Sequence, residues 1–471
     1  NLTFGNASDD VALFTSGLDT TGVSGVTSLN GFVRSQGTQL DFGAVSLGSN
    51  TTVDTTNNAG TPATGGNINV GAVTGANNQL TLRSGTTGLL NIASVTGVST
   101  LTVSNSNGAS FTGDVNATSV VLSDTEDGST ISFNGNLTAT ALNTTPGNGY
   151  NIAFNGASTS INNALIFNNT GSLAFGNESS DLVLFDGGAT ANSGLVNVFG
   201  TVRTTGDILN LGAVTVLGSS SLETNGANLI ISSITSTGNQ SLSINSGAVT
   251  VSGTVNDIAL DVLNSGGVTF QGQVGNSSAV ALNLTNTTAG QNVSFLSGTN
   301  LSSLTTAAQG YGVSFTGSTN TIGSAVTFNN TGGIVLGNDA ADSLTFTNGV
   351  TNASTSTVNL LGQIYATGAA ISLGNVDLGS GNSIIDSTNK GAAAAGANIV
   401  LGAVDGTSAT LSVDAGTGGN SVSFNGSTNL LGLTTFAKNY SLSFLGSDNS
   451  ITNNVIFNST GALTFGDSAN D

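Results

Sequence analysis

The stretch GYNIAFNGASTSINNALIFNNTGSLAFGN, residues 149–177, recurs as GYGVSFTGSTNTIGSAVTFNNTGGIVLGN at 310–338 and as NYSLSFLGSDNSITNNVIFNSTGALTFGD at 439–467. Apolar and polar residues alternate in each copy, and Gly, Asn, Ser and Asp separate the alternating runs. This period of two predicts short β-strands joined by turns. Helical signals are almost missing, so the strands must bury their inner faces against one another in a sandwich, a barrel or a solenoid.

Phe residues at a fixed spacing decide among these three architectures. They recur with a period near 21 residues, which is typical of a solenoid. The residues at this spacing are Phe133, Phe154 and Phe175, then Phe295, Phe315 and Leu336, then Phe424, Phe444 and Phe465. A second set follows the middle member of each group at one constant interval, at Phe167, Phe328 and Phe457. We therefore predict an all-β, parallel β-solenoid whose rings stack in an internal ladder.

The copies differ in length by whole coils. Segments 83–133 and 245–295 are equivalent and equally long, whereas their counterpart 414–424 is far shorter. The missing length corresponds to two coils, and a stack can close up after losing whole coils. A smaller difference, in the segments 56–67, 224–228 and 388–398, predicts a loop that protrudes sideways from the coil. We call these three segments the variable loops.

A longer repeat encloses the coils. We assign its copies to residues 1–171, 172–332 and 333–461, with the stub of a fourth at 462–471, all within one continuous solenoid over 1–471. Arg34, Arg203 and Tyr365 are equivalent positions in these copies. About 22 coils stacked at ~4.8 Å predict a rod of roughly 100 Å. The sequence reads as a segment of something longer.

Composition narrows the classes of partner. Of the 471 residues only 6% are charged, the net charge is −20, and mean hydropathy is +0.20 with 37% hydrophobic residues. Five basic residues are too few for nucleic acid or an anionic membrane surface. No run of apolar residues is long enough for a membrane-spanning helix. Cys, Met, Trp and His are absent, which suits an oxidising location outside the cell.

An acidic turn is the first candidate site. The sequences GNASDD, GNESSD, GNDAAD and GDSAND each place an Asp at the same distance after a Gly, and the four Asp residues are Asp10, Asp181, Asp342 and Asp471. Oxygen donors in a tight loop are what Ca²⁺ requires, so these residues are weak candidates for a Ca²⁺ site. The alternative, which we favour, is a solvated turn in which Asp bonds its own backbone. We predict no other cofactor.

Catalytic patterns are missing. Carbohydrate-active β-helices need paired carboxylates or a basic residue beside bound Ca²⁺, and the acidic residues here are scattered. We expect the chain not to be an enzyme and assign no catalytic residue. Tyr150, Tyr311 and Tyr440 begin equivalent strands; exposed rings could stack on sugars, whereas buried rings would be core with a hydroxyl at the edge. Asn residues in consecutive coils are expected to bond along the stack.

The coils, the long imperfect copies and motifs such as FNNTG, LGAVT and VSFTGSTN resemble giant bacterial surface proteins with β-strand repeats, the filamentous-haemagglutinin or autotransporter-like adhesins. The resemblance implies a right-handed solenoid, export to the cell surface, and a role in adhesive or structural fibres.

We expect a structural and adhesive rod segment of an extracellular bacterial filament or giant surface protein. Its expected partners are copies of itself or flanking repeats, and cell-surface polysaccharide. One alternative is a carbohydrate-active β-helix enzyme, a polysaccharide lyase or hydrolase, which predicts one unmatched groove with clustered carboxylates. Another is a carbohydrate- or ice-binding surface, which predicts flat ranks of outward Thr.

Overall fold

The computed structural model of the protein describes residues 1–59, 63–191, 194–466 and 468. Within these ranges every regular element is a β-strand, and the strands pair in parallel with strands of neighbouring coils. The chain forms a β-solenoid of about 22 turns, with equivalent strands about 21 residues apart. The predicted fold class is confirmed.

The strands are short, and most coils carry two or three of them. The strands that begin before residue 233 are β1 (Leu2–Phe4), β2 (Val11–Phe14), β3 (Leu18–Asp19), β4 (Thr27–Ser35), β5 (Leu40–Phe42), β6 (Val45–Asp54), β7 (Ile68–Thr74), β8 (Gln79–Arg83), β9 (Leu90–Ser106), β10 (Ala109–Phe111), β11 (Val115–Thr125), β12 (Thr130–Phe133), β13 (Leu137–Thr144), β14 (Asn151–Phe154), β15 (Ser158–Ile161), β16 (Leu165–Ile166), β17 (Leu173–Phe175), β18 (Leu182–Phe185), β19 (Ala189–Ala191), β20 (Val196–Arg203), β21 (Leu209–Glu223) and β22 (Leu229–Ser236).

The remaining strands are β23 (Gln240–Asn245), β24 (Val249–Val251), β25 (Ile258–Asn264), β26 (Val268–Phe270), β27 (Val280–Leu284), β28 (Asn292–Phe295), β29 (Thr299–Thr306), β30 (Gly312–Phe315), β31 (Thr319–Ile322), β32 (Val326–Phe328), β33 (Ile334–Leu336), β34 (Ser343–Phe346), β35 (Val350–Asn352), β36 (Val358–Leu360), β37 (Gln363–Ala366), β38 (Ile371–Leu378), β39 (Gly381–Asp386), β40 (Ile399–Asp414), β41 (Ser421–Phe424), β42 (Thr428–Thr435), β43 (Ser441–Phe444), β44 (Asn449–Ile451) and β45 (Leu463–Phe465).

Strand β9 shows how a coil is built, because it passes through three ladders in turn. Its residues 90–92 pair with 68–70 in the preceding coil and with 109–111 in the next. Val95 pairs with Val73 and Val115, and residues 100–103 pair with 79–82 and 119–122. A coil therefore has three faces, and each face continues as its own parallel ladder. The inward side chains of all three meet in one core.

The chain divides into two compact units, Asn1–Ser232 and Ser233–Asp471. In the first unit the rings of Phe111, Phe133 and Phe154 stack with centroids 5.0 and 5.8 Å apart. Each ring is a register partner of the next, and all three are fully buried. Stacking at this distance adds to the free energy of burial. The predicted internal ladder is confirmed in this unit.

The second unit contains two such stacks. Phe295 lies 5.1 Å from Phe270 and 4.6 Å from Phe315, and Phe424 lies 4.8 Å from Phe444. Phe465 stacks on Phe444 at 5.5 Å in the second stack and is 66% exposed. The second set of Phe residues packs edge-on against its neighbours in both units, as Phe167 does against Phe185 at 5.8 Å and Phe328 against Phe346 at 6.2 Å.

The two stacks of the second unit lie in different ladders. The ladder of Phe315 continues through Leu336 and Leu360 to Leu378. The ladder of Phe424 runs back through Leu401 to Gly374. Equivalent rings in the second and third long repeats therefore occupy different faces, since the interval between them is not a whole number of coils.

Candidate functional site

The acidic turns are closed by their own Asp side chains. Asp10 Oδ2 accepts hydrogen bonds from the backbone N–H groups of Asn6 (2.6 Å) and Ala7 (3.0 Å). Asp181 repeats this with residues 177 and 178, at 2.8 and 3.0 Å, and Asp342 with residues 338 and 339, at 2.9 and 3.0 Å. The fourth candidate, Asp471, lies outside the described residues. The three described carboxylates therefore serve as caps of the turn.

A Gly on the next coil packs against the backbone of each of the three described turns. Gly200 has φ +100°, and a Cβ there would lie 2.5 Å from the carbonyl oxygen of Asp181. The N–H of Thr201 then donates to the same carbonyl oxygen at 2.8 Å. Gly31 and Gly362 stand in the same relation to Asp10 and Asp342. Backbone contact between coils thus fixes the turn, and a Ca²⁺ site at these residues stays a prediction.

The three equivalent Tyr residues are buried. The hydroxyl of Tyr150 donates to Leu122 O at 2.8 Å, that of Tyr311 to Leu284 O at 3.3 Å, and that of Tyr440 to Val413 O at 3.0 Å. Burial raises the pKa of Tyr150 and of Tyr440 to about 12, and raises the pKa of Tyr311 in the same direction. Of the two roles considered for these Tyr residues, the structure shows the second, a buried core position. Their rings are therefore not exposed for stacking on a sugar.

Amide ladders run along the outside of the coils. Asn91 Nδ2 donates to Asn69 Oδ1 at 2.8 Å, and Asn69 Nδ2 donates to Asp41 Oδ1 at 2.6 Å. Asn155 and Asn134 form a similar pair at 2.9 Å. The expected bonding of Asn along the stack is confirmed at these positions. These bonds use polar groups that would otherwise be available to a partner.

Charged side chains gather at the base of each variable loop. In the first long repeat Arg34, Asp54 and Arg83 are register partners on three successive coils. Buried Asp54 accepts from the N–H of Thr56 (2.7 Å) and of Asn58 (2.7 Å), which ties the loop to the coil. The Arg83 guanidinium lies 4.0 Å from Asp54 Oδ2 and donates to a loop carbonyl oxygen, Ala59 O.

The second long repeat has the same arrangement in a shorter form. Arg203 and Glu223 are register partners, and Arg203 Nη2 lies 2.6 Å from Glu223 Oε2. The loop that follows, residues 224–228, is the shortest of the three. The base of this loop therefore carries a direct ion pair.

In the third long repeat, one charged position of the cluster has the opposite sign from its counterpart in the first repeat. Asp386 holds its loop as Asp54 does, by accepting from the N–H groups of Thr388 (2.6 Å) and Lys390 (2.8 Å). The next register partner is Asp414, at the place that Arg83 takes in the first repeat. Asp414 Oδ2 pairs with Lys438 Nζ on the following coil at 2.5 Å.

A hollow of about 310 Å³ lies under this loop, and we call it the third-loop hollow. The side chains that matter to its chemistry are Tyr365, Asp386, Lys390, Asp414, Phe436 and Lys438. Lys390 Nζ lies 4.7 Å from the Tyr365 ring, and Lys438 Nζ lies 6.0 Å from the Phe436 ring. Burial, followed by the charge of Asp386, raises the pKa of Tyr365. The hollow combines two ammonium groups, two carboxylates and two aromatic rings.

Sequence reasoning missed this cluster. It identified Arg34, Arg203 and Tyr365 as equivalent, and it located the variable loop, but it assigned no role to Lys390 or Lys438. Part of the signal was present, because Lys390 lies within the third loop and is one of only two Lys residues in the chain. Their convergence depends on coil lengths that only the structure supplies.

Comparison of the chain with protein families, curated proteins and solved structures gave no match. Among the described residues there is no group of three or more His, Cys, Asp or Glu side chains placed to share a metal ion. None of the same residues belongs to a helix with the length and hydropathy needed to cross a bilayer. The expectations of no enzyme activity and no cofactor stay predictions.

Proposed function

We propose that this chain is a structural and adhesive segment of an extracellular bacterial filament or giant cell-surface protein. The observation that carries the proposal is the repetition of one mechanical unit: three parallel ladders per coil around stacked aromatic rings. Such a unit stabilises itself through contacts with neighbouring coils, so it can be added or removed without a new fold.

The use of the polar groups supports this role. The repeated carboxylates cap turns, the repeated hydroxyls of Tyr are buried, and outward amides bond to the next coil. All of these features stabilise the coils, and the carboxylates and Tyr residues recur once in each long repeat. Besides the number of coils, the loop and the charged cluster at its base vary between the long repeats, and this is where recognition of a partner belongs.

The test is immunogold electron microscopy of intact cells that produce the protein, with antibodies raised against the purified chain. We expect gold particles along fibres or extended material outside the cell. Permeabilised cells serve as the control for antibody access. Labelling confined to the interior of permeabilised cells, or to dispersed globular particles, would contradict the proposal.

A further inference from the structure

We propose that the third-loop hollow binds a carboxylate-bearing sugar, such as a terminal uronic acid residue of a glycan, with Lys390 as the group that holds the carboxylate. The proposed adhesive function supplies only the choice of a glycan as the source of this ligand. The hollow, its charged side chains and its size are features of the structure itself.

The balance of charge in the hollow points to an anionic group on the ligand. Asp386 accepts hydrogen bonds from backbone N–H groups of its loop. Asp414 accepts a hydrogen bond from Gly416 N at 3.0 Å and forms a salt bridge with Lys438. Lys390 takes part in none of the salt bridges formed by the described residues, and its ammonium rests against the Tyr365 ring. A carboxylate beside this ammonium would form a charge-assisted hydrogen bond, which is stronger than a neutral one.

In the hollow, Lys390 and Lys438 offset the negative charge that prevails over the rest of the chain. The chain carries a net charge of −20, and both of its Lys residues line this one hollow. Their two positive charges balance the two carboxylates of Asp386 and Asp414, so the local sum is zero. The net charge of −20 disfavours a ligand with several carboxylates more than a ligand with one.

Size and surface favour a single sugar ring. A volume of about 310 Å³ is at the lower end of the range for small-molecule sites. Phe436 is 39% exposed and offers an apolar surface beside Lys438. The carboxylates of Asp386 and Asp414 retain acceptor capacity for hydroxyl hydrogens, since a carboxylate offers about four lone-pair sites.

The first long repeat explains why the hollow belongs to the third. There Arg83 stands in place of Asp414, and its guanidinium reaches both Asp54 and the loop carbonyl Ala59 O. The position equivalent to Lys390 is Asn58, which likewise donates its N–H to the loop-holding carboxylate. A separate hollow beside the first loop is lined by Gln36, Thr56 and other uncharged described residues, so it lacks an anion-binding group.

Saturation-transfer NMR on the purified full chain tests the proposal, with methyl β-D-glucuronide as the probe and methyl β-D-glucoside as its neutral counterpart. We expect the glucuronide to bind with a dissociation constant of about 1 mM, as its size allows. The glucoside should bind about 10-fold more weakly, in line with the loss of one charge-assisted hydrogen bond. Lys390→Ala should weaken glucuronide binding about 10-fold, and Lys390→Arg should largely restore it.

Arg34→Ala is the matched control, because it removes one positive charge at the base of the first loop and leaves the hollow intact. Circular dichroism checks that each variant is folded. The proposal is overturned if the glucuronide does not bind, if Lys390→Ala binds it as well as the parent chain, or if acetate, phosphate or an acidic peptide binds as tightly. Because the assay uses purified chain, a negative result in the cell-labelling experiment leaves this inference standing, and the reverse also holds.

Discussion

Phe295 and Leu296 are neighbours in the chain and lie in opposite environments. Phe295 is fully buried between Phe270 and Phe315, whereas Leu296 is 50% exposed. At the scale of single residues, the period of two along each strand therefore decides which side chains stabilise the protein. The number of Phe residues alone does not predict which side chains are buried, because burial depends on whether a residue points inward or outward along its strand.

We expect Phe295→Ala to lower the free energy of unfolding by about 3–5 kcal/mol, because it removes the central ring of a stack and leaves a cavity. Leu296→Ala should change it by less than about 1 kcal/mol. Urea unfolding followed by circular dichroism measures both variants. Equal losses for the two would show that the inward and outward faces are wrongly assigned.

Tyr440 predicts a pH dependence of stability. Burial raises the pKa of its hydroxyl to about 12, above the usual value of 10 for Tyr, and the N–H bond from Phe436 opposes this only in part. Above pH 10 the unfolded chain releases this proton while the folded chain still holds it, so the free energy of unfolding falls as the pH rises from about 10 to 12. Below pH 10 this group contributes no pH dependence.

The measurement compares urea midpoints of the parent chain and Tyr440→Phe at pH 8, 10 and 11.5. The variant should be less stable at pH 8, since the Phe436 N–H loses its acceptor, and the gap should narrow above pH 10. A gap that stays constant across this range would contradict the assigned pKa. Other groups that titrate here affect both chains alike and cancel in the comparison.

At the scale of elements, the acidic turn is a unit made of two coils. Asp342 Oδ2 closes the turn through two backbone N–H groups, and the N–H of Gln363 on the next coil donates to the carbonyl oxygen of Asp342 at 2.8 Å. Gly362, with φ +147°, permits this close approach. The turn therefore links the coil that carries it to the next coil.

Asp342→Ala should destabilise the chain by about 1–3 kcal/mol, because it leaves two turn N–H groups without their acceptor. Asp342→Asn should cost less, since an amide oxygen can still accept. Thermal unfolding in EDTA and in excess Ca²⁺ gives the readout, and we expect the same midpoint in both for the parent chain. A clear rise with Ca²⁺ that Asp342→Ala abolishes would instead establish a Ca²⁺ site at this turn.

The elements also show what sequence reasoning can reach. The regular period of the Phe residues predicts that Phe133 lies on Phe154, because the partner of a residue in a regular coil is a fixed distance along the chain. It does not predict the pairing of Asp414 with Lys438. That pair is 24 positions apart, whereas Arg203 and Glu223 are 20 apart. Val413 and Thr435 are register partners, so the Lys438 side chain reaches Asp414 from beyond the end of its paired strand, and a fixed period does not predict such a contact.

At the scale of the whole molecule, each unit consists of coils that make most of their contacts with the next coil. Stability should then be roughly a sum over coils and the interfaces between them. The natural difference in length between segments 83–133 and 414–424 agrees with this, since it is close to two coils. The register partners show which residues can be deleted so that the strands on both sides of the junction remain in their own ladders.

Deleting residues 93–133 tests whether stability is additive by whole coils. Ile92, Phe111 and Phe133 are successive register partners, so the deletion removes two coils and joins Ile92 to the residue after Phe133 at the same phase. We expect a folded β protein whose free energy of unfolding is modestly lower. Deleting residues 93–122 is the control, because Leu122 lies in a different ladder and the junction then places inward residues on the wrong faces. Circular dichroism and urea unfolding should show a cooperative transition for the first deletion and loss of structure for the second, and similar behaviour of the two would refute additivity by whole coils.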